Sequence, residues 1–319
     1  RPDIVEELAD WVRRTTAADR HVHLVLENDA NQARYLERDD RGRPRRFDAQ
    51  WNDDFHHAAH VLATGETDGY YVDYADQPAA RLGRCLAEGF GYQGEASTWR
   101  SGRLRGEPGA HLPPTAFVSF LQNHDQVGNR AFGERLTSLA RPEAVRGLST
   151  ILLLAPQPPL LFMGEEWGTT RPFLFFCDFE PGLAEQVAHG RRAEFAGFRA
   201  FNDPEACRHM PDPGDPDTFR RSVLDWTEPG REPHAARLDM HRELLELRQR
   251  EVVPRLAGTG GHAGRFRTRG RGGLEVDWIL GDGTALHLRA NLAPGHAEFP
   301  EPVSGRLLHA CATESAHGQ

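Results

Sequence analysis

Four short apolar segments, each followed by helix-forming sequence, constrain the fold of this chain more than any other feature. They lie at residues 21–26, 47–51, 116–121 and 159–162. Between them, residues 55–62, 75–87 and 141–154 carry apolar side chains at helical spacing, as do residues 2–13, where Ile4, Val5, Leu8, Trp11 and Val12 recur. Strands alternating with helices predict a parallel sheet with crossover helices, an α/β architecture. All strands of such a sheet deliver their last residues at one rim, where side chains leave the core and can meet a ligand.

The character of the chain changes in its last quarter. Residues 234–250 read as an amphipathic helix with Leu238, His241, Leu244, Leu245 and Leu247 on its inner side; Pro254 and a glycine-rich run at 258–264 then mark a boundary. Beyond it, 274–280 and 285–289 alternate with period two, and 306–308 follows, so the tail predicts antiparallel β structure. The expected division is a larger unit over residues 1–252 and a small β-sandwich-like unit over 253–319.

Three strand ends hold the polar residues of interest. The third apolar segment stops at Asn123, His124, Asp125 and Gln126, a set of donors and acceptors suited to sugar hydroxyls. A helix cap would use the same tripeptide equally well. The first segment ends in Glu27, which taken alone reads as a carboxylate favoured at a helix start. After the second come Trp51, Asn52, Asp53, Asp54, Phe55, His56 and His57, with His60 four residues beyond His56. That histidine spacing can ligate zinc, but no glutamate base of the HExxH kind stands between the two. Phe55, His56 and Ala59 read equally as core contacts of the following helix.

Taken at full length, these stretches resemble one family. The run Phe120 to Arg130 (FLQNHDQVGNR), DAQWNDDFHH before it at 48–57, FMGEEWG after it at 162–168 and FFCDF at 175–179 are similar to segments of the maltooligosyltrehalose trehalohydrolases of the α-amylase superfamily. The NHD tripeptide alone would indicate only the superfamily. The resemblance covers most of residues 1 to about 250 and implies a (β/α)8 barrel, which typically takes ~250 residues. Four strands cannot close it. The resemblance therefore makes the four segments strands five to eight, the helix at 2–13 the one after strand four, and the chain the second half of a TIM barrel followed by a small antiparallel β unit. The first half, which would precede a chain that opens at Arg1 directly in a helix, is expected to be missing. An open half-barrel of this kind is expected to expose apolar surface and unpaired strand edges.

The resemblance also assigns roles. Glu27 matches the family's general acid/base and Asp125 the carboxylate that stabilises the oxocarbenium-like transition state; Asn123, His124, Gln126, Trp51, Asp53, Asp54, Phe55 and His56 fall on segments that bind substrate. Glu27 would need an apolar setting and neighbouring carboxylates to hold its proton near neutrality. A retaining glycosidase needs a second carboxylate as nucleophile about 5 Å away. The family places it in a GFRxDA motif at the end of strand four, and no such motif occurs in the sequence. The implied reaction is hydrolysis, with retention, of the α-1,4 bond next to the terminal trehalose of maltooligosyltrehalose, with this chain expected to be inactive by itself and the missing half its expected partner. An aromatic loop with Phe173, Phe175, Phe176 and Phe179 is expected either to stack against pyranose faces or to form a packed loop core. Glu165 receives no catalytic role. Proton transfer and carboxylate chemistry suffice, so no metal or organic cofactor is expected.

Composition narrows the alternatives. A net charge of −9 with pI ≈ 6.0 argues against a nucleic-acid backbone as partner, since phosphate neutralisation needs clustered cations. Cys85, Cys177, Cys207 and Cys311 are scattered without metal-ligand spacing and read as reduced thiols, consistent with an expected cytoplasmic location. No segment has the length and apolarity of a membrane span or secretory signal. Three other readings stay open: a glycogen-branching or debranching enzyme of the same superfamily, a glucan-binding remnant without turnover, and a metal-dependent hydrolase.

Overall fold

A computed structural model describes residues 3–17, 19–195, 209–300 and 303–311. Cys207 lies outside them, and Cys85, Cys177 and Cys311 are free thiols. Helix α1 (Ile4–Thr15) starts at Asp3, whose carboxylate accepts the Val5 N–H, and carries Glu6 and Glu7 in its first turn and Arg13 and Arg14 in its last, both favourable to the helix dipole. Strands β1 (Val25–Leu26) and β2 (Ala49–Trp51) follow, then α2 (Asp53–Thr64), α3 (Pro78–Glu88), a hairpin of β3 (Glu95–Ala96) and β4 (Leu104–Arg105), and β5 (Phe117–Phe120). The chain continues through α4 (His124–Gly128), α5 (Leu136–Leu139), α6 (Pro142–Leu154), β6 (Pro159–Leu160), α7 (Pro181–Phe195), α8 (Pro216–Ser222) and α9 (His234–Glu251). It ends in β7 (Gly264–Arg269), β8 (Gly273–Ile279) and β9 (Ala285–Asn291).

The expected parallel sheet is present: β1, β2, β5 and β6 lie side by side in that order, all parallel. Its ladders are shorter than the apolar segments suggested. β1 pairs with β2 only at Val25–Ala49 and Leu26–Gln50, and the fourth segment pairs only at Pro159 and Leu160. Helix boundaries have local causes. Gly65 (φ 76°) closes α2 by returning its N–H to Val61. Gly89 (φ 98°) closes α3 against the ring of Phe117, where a Cβ would come within 2.2 Å of a ring carbon.

The helix expected over 2–13 is present as α1, and its apolar side chains divide between two faces. Val5 and Ala9 pack into a core with Tyr35, Leu36, Phe47, Phe90 and Phe117, whereas Ile4, Leu8 and Trp11 are 67%, 58% and 59% exposed and form an outward stripe. Val25 of β1 is also exposed. On α9, Leu244 and Leu247 face inward as expected, but Leu245 points to solvent. The buried Arg248 of that helix donates to the carbonyls of Leu153 (3.1 Å), Ala155 (2.5 Å) and Gln157 (2.9 Å), satisfying the end of α6 and the loop after it.

The antiparallel tail forms one three-stranded sheet, β7-β8-β9, in the described residues. Strand β7 emerges directly from the glycine-rich run that read as a boundary, and 306–308 form no strand. The sheet does not stand apart. Leu274, Val276 and Trp278 of β8 join one core with Leu82, Leu86 and Phe55, and the Trp278 indole donates to the Leu86 carbonyl at 2.9 Å. Gly83 of α3 makes this approach possible, since a Cβ there would meet Phe266 at 2.5 Å.

Candidate active site

Because the four central strands are parallel, their C-terminal ends share one rim, and the residues that follow β1, β2 and β5 come together there. Asp125 is exposed, and its Oδ1 accepts from the Asn129 amide at 2.6 Å, one turn along the same short helix. His124 is also exposed and meets the half-buried Trp51 ring edge-on, with centroids 6.0 Å apart; Trp51 rests in turn on Phe120 at 5.9 Å. Asn123 is buried and its Oδ1 caps α4 by accepting the Gln126 N–H at 2.8 Å. Its Nδ2 has no hydrogen-bond partner among the described residues. The cap reading of this residue was thus sound, and one donor is left over.

Gln126 ties two strand ends together. Its Nε2 donates to Asp53 Oδ1 at 3.1 Å, so the first residue of α2 is held against the start of α4. Asp53 is half-buried, and its carboxyl is pushed up to about 7, first by burial and then by the negative charge of the adjacent Asp54, with Arg105 opposing. A carboxyl in this condition can donate or accept near neutral pH. Glu27 stands at the end of β1, exposed and without a hydrogen-bond or ion-pair partner among the described residues. The apolar, carboxylate-lined setting expected around it is not formed by them.

The next three residues after Asp53 correct the sequence reading. Asp54, Phe55 and His56 turn inward, because α2 is packed on one side against the parallel sheet and on the other against α3. Asp54 is fully buried in an ion pair with Arg105 (2.7 Å), and accepts from Asn31 Nδ2 (2.7 Å), the Tyr92 N–H (2.9 Å) and the Tyr74 hydroxyl. No lone pair remains for a sugar. Phe55 is a core residue. His56 donates from Nδ1 to the Leu121 carbonyl at 2.6 Å and accepts from Tyr71 at Nε2 (3.2 Å); burial and the neighbouring His60 push its pKa down to about 3. It is a neutral, satisfied core histidine with both ring nitrogens engaged, and His60 Nε2 bonds Glu66 at 2.7 Å, so the two histidines do not converge on a shared zinc position. Glu66 also takes a forked pair from Arg130 (2.8 and 3.0 Å); burial opposes its ionisation, yet these bonds hold it down to about 2.

Tyr70 and Trp99, which sequence reasoning passed over, are linked to this rim through His57. His57 packs between Tyr70 (4.9 Å) and Tyr74 (5.0 Å), and burial holds its pKa well below the ordinary histidine value. Tyr70 in turn meets Trp99 edge-on at 6.3 Å, and Trp99 is 54% exposed. The hairpin that carries Trp99 is fastened to the loop beyond β1: Arg100 pairs with Asp29, and Arg105 Nε donates to the Asp29 carbonyl at 2.7 Å. Asp73 fixes its tip, accepting from Ser97 Oγ (2.5 Å) and the Trp99 N–H (3.0 Å). A lone tryptophan in a Ser-, Arg- and Gly-rich loop was the available signal.

Behind β6, Glu165 is buried, accepts the Phe162 N–H at 3.1 Å, and is pushed up to about 7 by burial. The aromatic loop chains Phe162 to Phe173 (5.1 Å), Phe173 to Phe176 (6.0 Å) and Phe176 to Phe219 (5.1 Å), with Phe175, Phe176 and Phe179 still partly open. Among the described residues no helix is long and apolar enough to cross a membrane.

Residues 261–319 match a family described as a domain of unknown function, DUF3459. The chain is 42% identical over 249 residues to the malto-oligosyltrehalose trehalohydrolase of Arthrobacter ramosus, covering 77% of this chain and 42% of that protein. It is 44% identical over 265 residues to the enzyme of the same name from Rhizobium sp. strain M-11, covering 81% and 42%. A 1.4 Å crystal structure from Salmonella typhimurium, of a protein provisionally described as an alpha amylase, matches with a TM-score of 0.90 at 44% identity, over 98% of this chain and 52% of that one. The chain spans about two-fifths of the length of the curated relatives it matches.

Proposed function

We propose, from its shared ancestry with the malto-oligosyltrehalose trehalohydrolases of the α-amylase superfamily, that this chain supplies the acid/base half of a retaining glycoside hydrolase. The substrate is a maltooligosyltrehalose, and the bond cleaved is the α-1,4 linkage next to its terminal trehalose. The chain corresponds to strands five to eight of a (β/α)8 barrel. One observation carries the reading: parallel strands bring Glu27 and Asp125 to the same rim, with Trp51, Asp53 and His124 at the strand ends between and beside them.

In this reading Glu27 protonates the glycosidic oxygen as the bond to the anomeric carbon breaks, then takes a proton from the water that hydrolyses the covalent intermediate. Asp125, held by Asn129, opposes the positive charge that develops at the anomeric carbon. His124 donates to a hydroxyl of the same sugar, Trp51 offers an apolar face, and Asp53, positioned by Gln126, exchanges hydrogen bonds with a neighbouring hydroxyl, while the buried Asn123 caps the short helix that presents His124 and Asp125. Asp54, Phe55 and His56 hold α2 in place and touch no sugar. The nucleophilic carboxylate comes from outside these 319 residues, as does the cover that would desolvate Glu27.

The test is trehalose release from maltotriosyltrehalose by the purified chain, alone and mixed with a separately produced N-terminal half of a related enzyme. Release in the mixture only is the expected result. Release by the chain alone would mean that a carboxylate present here acts as nucleophile, and binding of glucan without release in either sample would favour a non-catalytic glucan-binding role.

A further inference from the structure

At the end of the sheet opposite the rim, a second cluster of potential ligands is built into the lead-in to β1. His21 and His23 are two apart in an extended segment, so their rings project from one side of it. Asp48, the residue before β2, is locked beside them: its N–H donates to the Leu24 carbonyl at 2.8 Å, while its Oδ2 accepts from the Leu24 N–H (2.7 Å) and Arg13 Nη2 (2.6 Å). Both polar commitments fall on Oδ2. The other oxygen, Oδ1, is turned to the histidines, 3.9 Å from His21 Nε2 and 3.8 Å from His23 Nδ1, and those two nitrogens are 3.3 Å apart.

We propose that His21 Nε2, His23 Nδ1 and Asp48 Oδ1 form a binding site for a divalent cation of the zinc, cobalt or nickel type. A triangle with sides of 3.3, 3.8 and 3.9 Å has a point about 2.1 Å from every corner, which is the bond length zinc takes with imidazole and carboxylate. Two imidazoles and one carboxylate select borderline transition metals over calcium or magnesium, which prefer all-oxygen shells. Both histidines are exposed, so water completes the coordination. Arg13 keeps Oδ2 while Oδ1 ligates; its charge lowers the affinity but also orients the carboxylate. The His21–His23 contact is a hydrogen bond without the ion; when the ion takes its place, the donor ring shifts that proton to its other ring nitrogen and ligates as a neutral imidazole.

The site has a structural consequence. β1 is fastened to β2 by only two residue pairs, and it carries Glu27 at its far end. A cation joining the lead-in of β1 to the start of β2 would pin this edge strand from the side away from the rim, in a role distinct from any chemistry at Glu27.

The experiment is calorimetric titration of the chelator-treated 319-residue chain with zinc chloride, alongside thermal melting with and without zinc. The expected result is one ion bound per chain, a raised melting temperature, and affinity reduced at least ~10-fold in each of His21→Ala and His23→Ala. His111→Ala, which removes an exposed histidine paired with Glu37, serves as the control and should leave binding unchanged. Equal zinc affinity in the wild type and the two site variants would overturn the proposal, as would no binding by the wild type at ~100 μM zinc. His21 and His23 are solvent-exposed, so these variants fold even if Asp48→Asn does not.

Discussion

Replacing Asp53 by Asn should change how the protein's stability depends on pH. Burial and the charge of Asp54 raise this carboxyl to about 7 from an ordinary 3.8. Between those values the folded chain holds a proton that the unfolded chain has released, so the wild type loses stability as pH rises from about 4 to about 7 and keeps the full loss above that. At 1.36 kcal/mol per pH unit the gap amounts to about 4 kcal/mol, and screening at a half-buried position lowers this to about 2–4 kcal/mol. Asn has the same shape, still accepts from Gln126, and cannot ionise. Urea unfolding of both proteins at steps between pH 4 and pH 8 should therefore show Asp53→Asn gaining on the wild type by that amount, with the whole gain made below about pH 7.5. Other carboxylates titrate in the same range, but they do so in both proteins and cancel in the difference. A difference that stays constant to within ~0.5 kcal/mol across the series would refute the buried, proton-holding carboxyl.

Three further outcomes are expected. In the complemented enzyme, Glu27→Gln should lower kcat by ~10²–10⁴ while leaving glucan binding largely intact, and near-normal turnover would remove Glu27 from proton transfer. Trp99→Ala should weaken glucan binding by up to ~10-fold, about the value of one aromatic contact, with little change in melting temperature because the ring is largely exposed; unchanged affinity, read by calorimetry with maltoheptaose, would make Trp99 irrelevant to the cleft. Arg105→Leu strands Asp54 as an unpaired buried charge and should cost ~3–5 kcal/mol, measured by urea unfolding, and a loss under 1 kcal/mol would show that Asn31, Tyr74 and Tyr92 suffice to hold it.

The sequence determined the architecture of the sheet and the location of the rim. Apolar runs alternating with helical ones are a local signal, and burial on both faces of a parallel strand leaves few other ways to read them. For the same reason Asn123, His124, Asp125 and Glu27 could be placed at strand ends without a structure, and long motifs such as FLQNHDQVGNR carried the resemblance to the trehalohydrolases, two of which are 42% and 44% identical to this chain over the matched residues. Local pattern could not say which neighbours of a motif face ligand and which face core. Asp54, Phe55 and His56 sit in the same run as Trp51 and Asp53, yet α3 and the sheet close over them, and only that packing separates a satisfied ion pair from a binding group.

The same limit explains what was missed. The last glycine of the run that read as a boundary opens a strand, and Gly264 lies so close against α3 that a side chain there would collide with Ala87. Trp99 joins the rim only through a hairpin bound to Asp29, which is 70 residues earlier in the chain, and Asp48 reaches His21 and His23 only because β1 and β2 pair in one register. Periodicity is a property of consecutive residues and is written in the sequence; burial, pairing and charge proximity are properties of residues far apart in it, and the tertiary structure alone decides them.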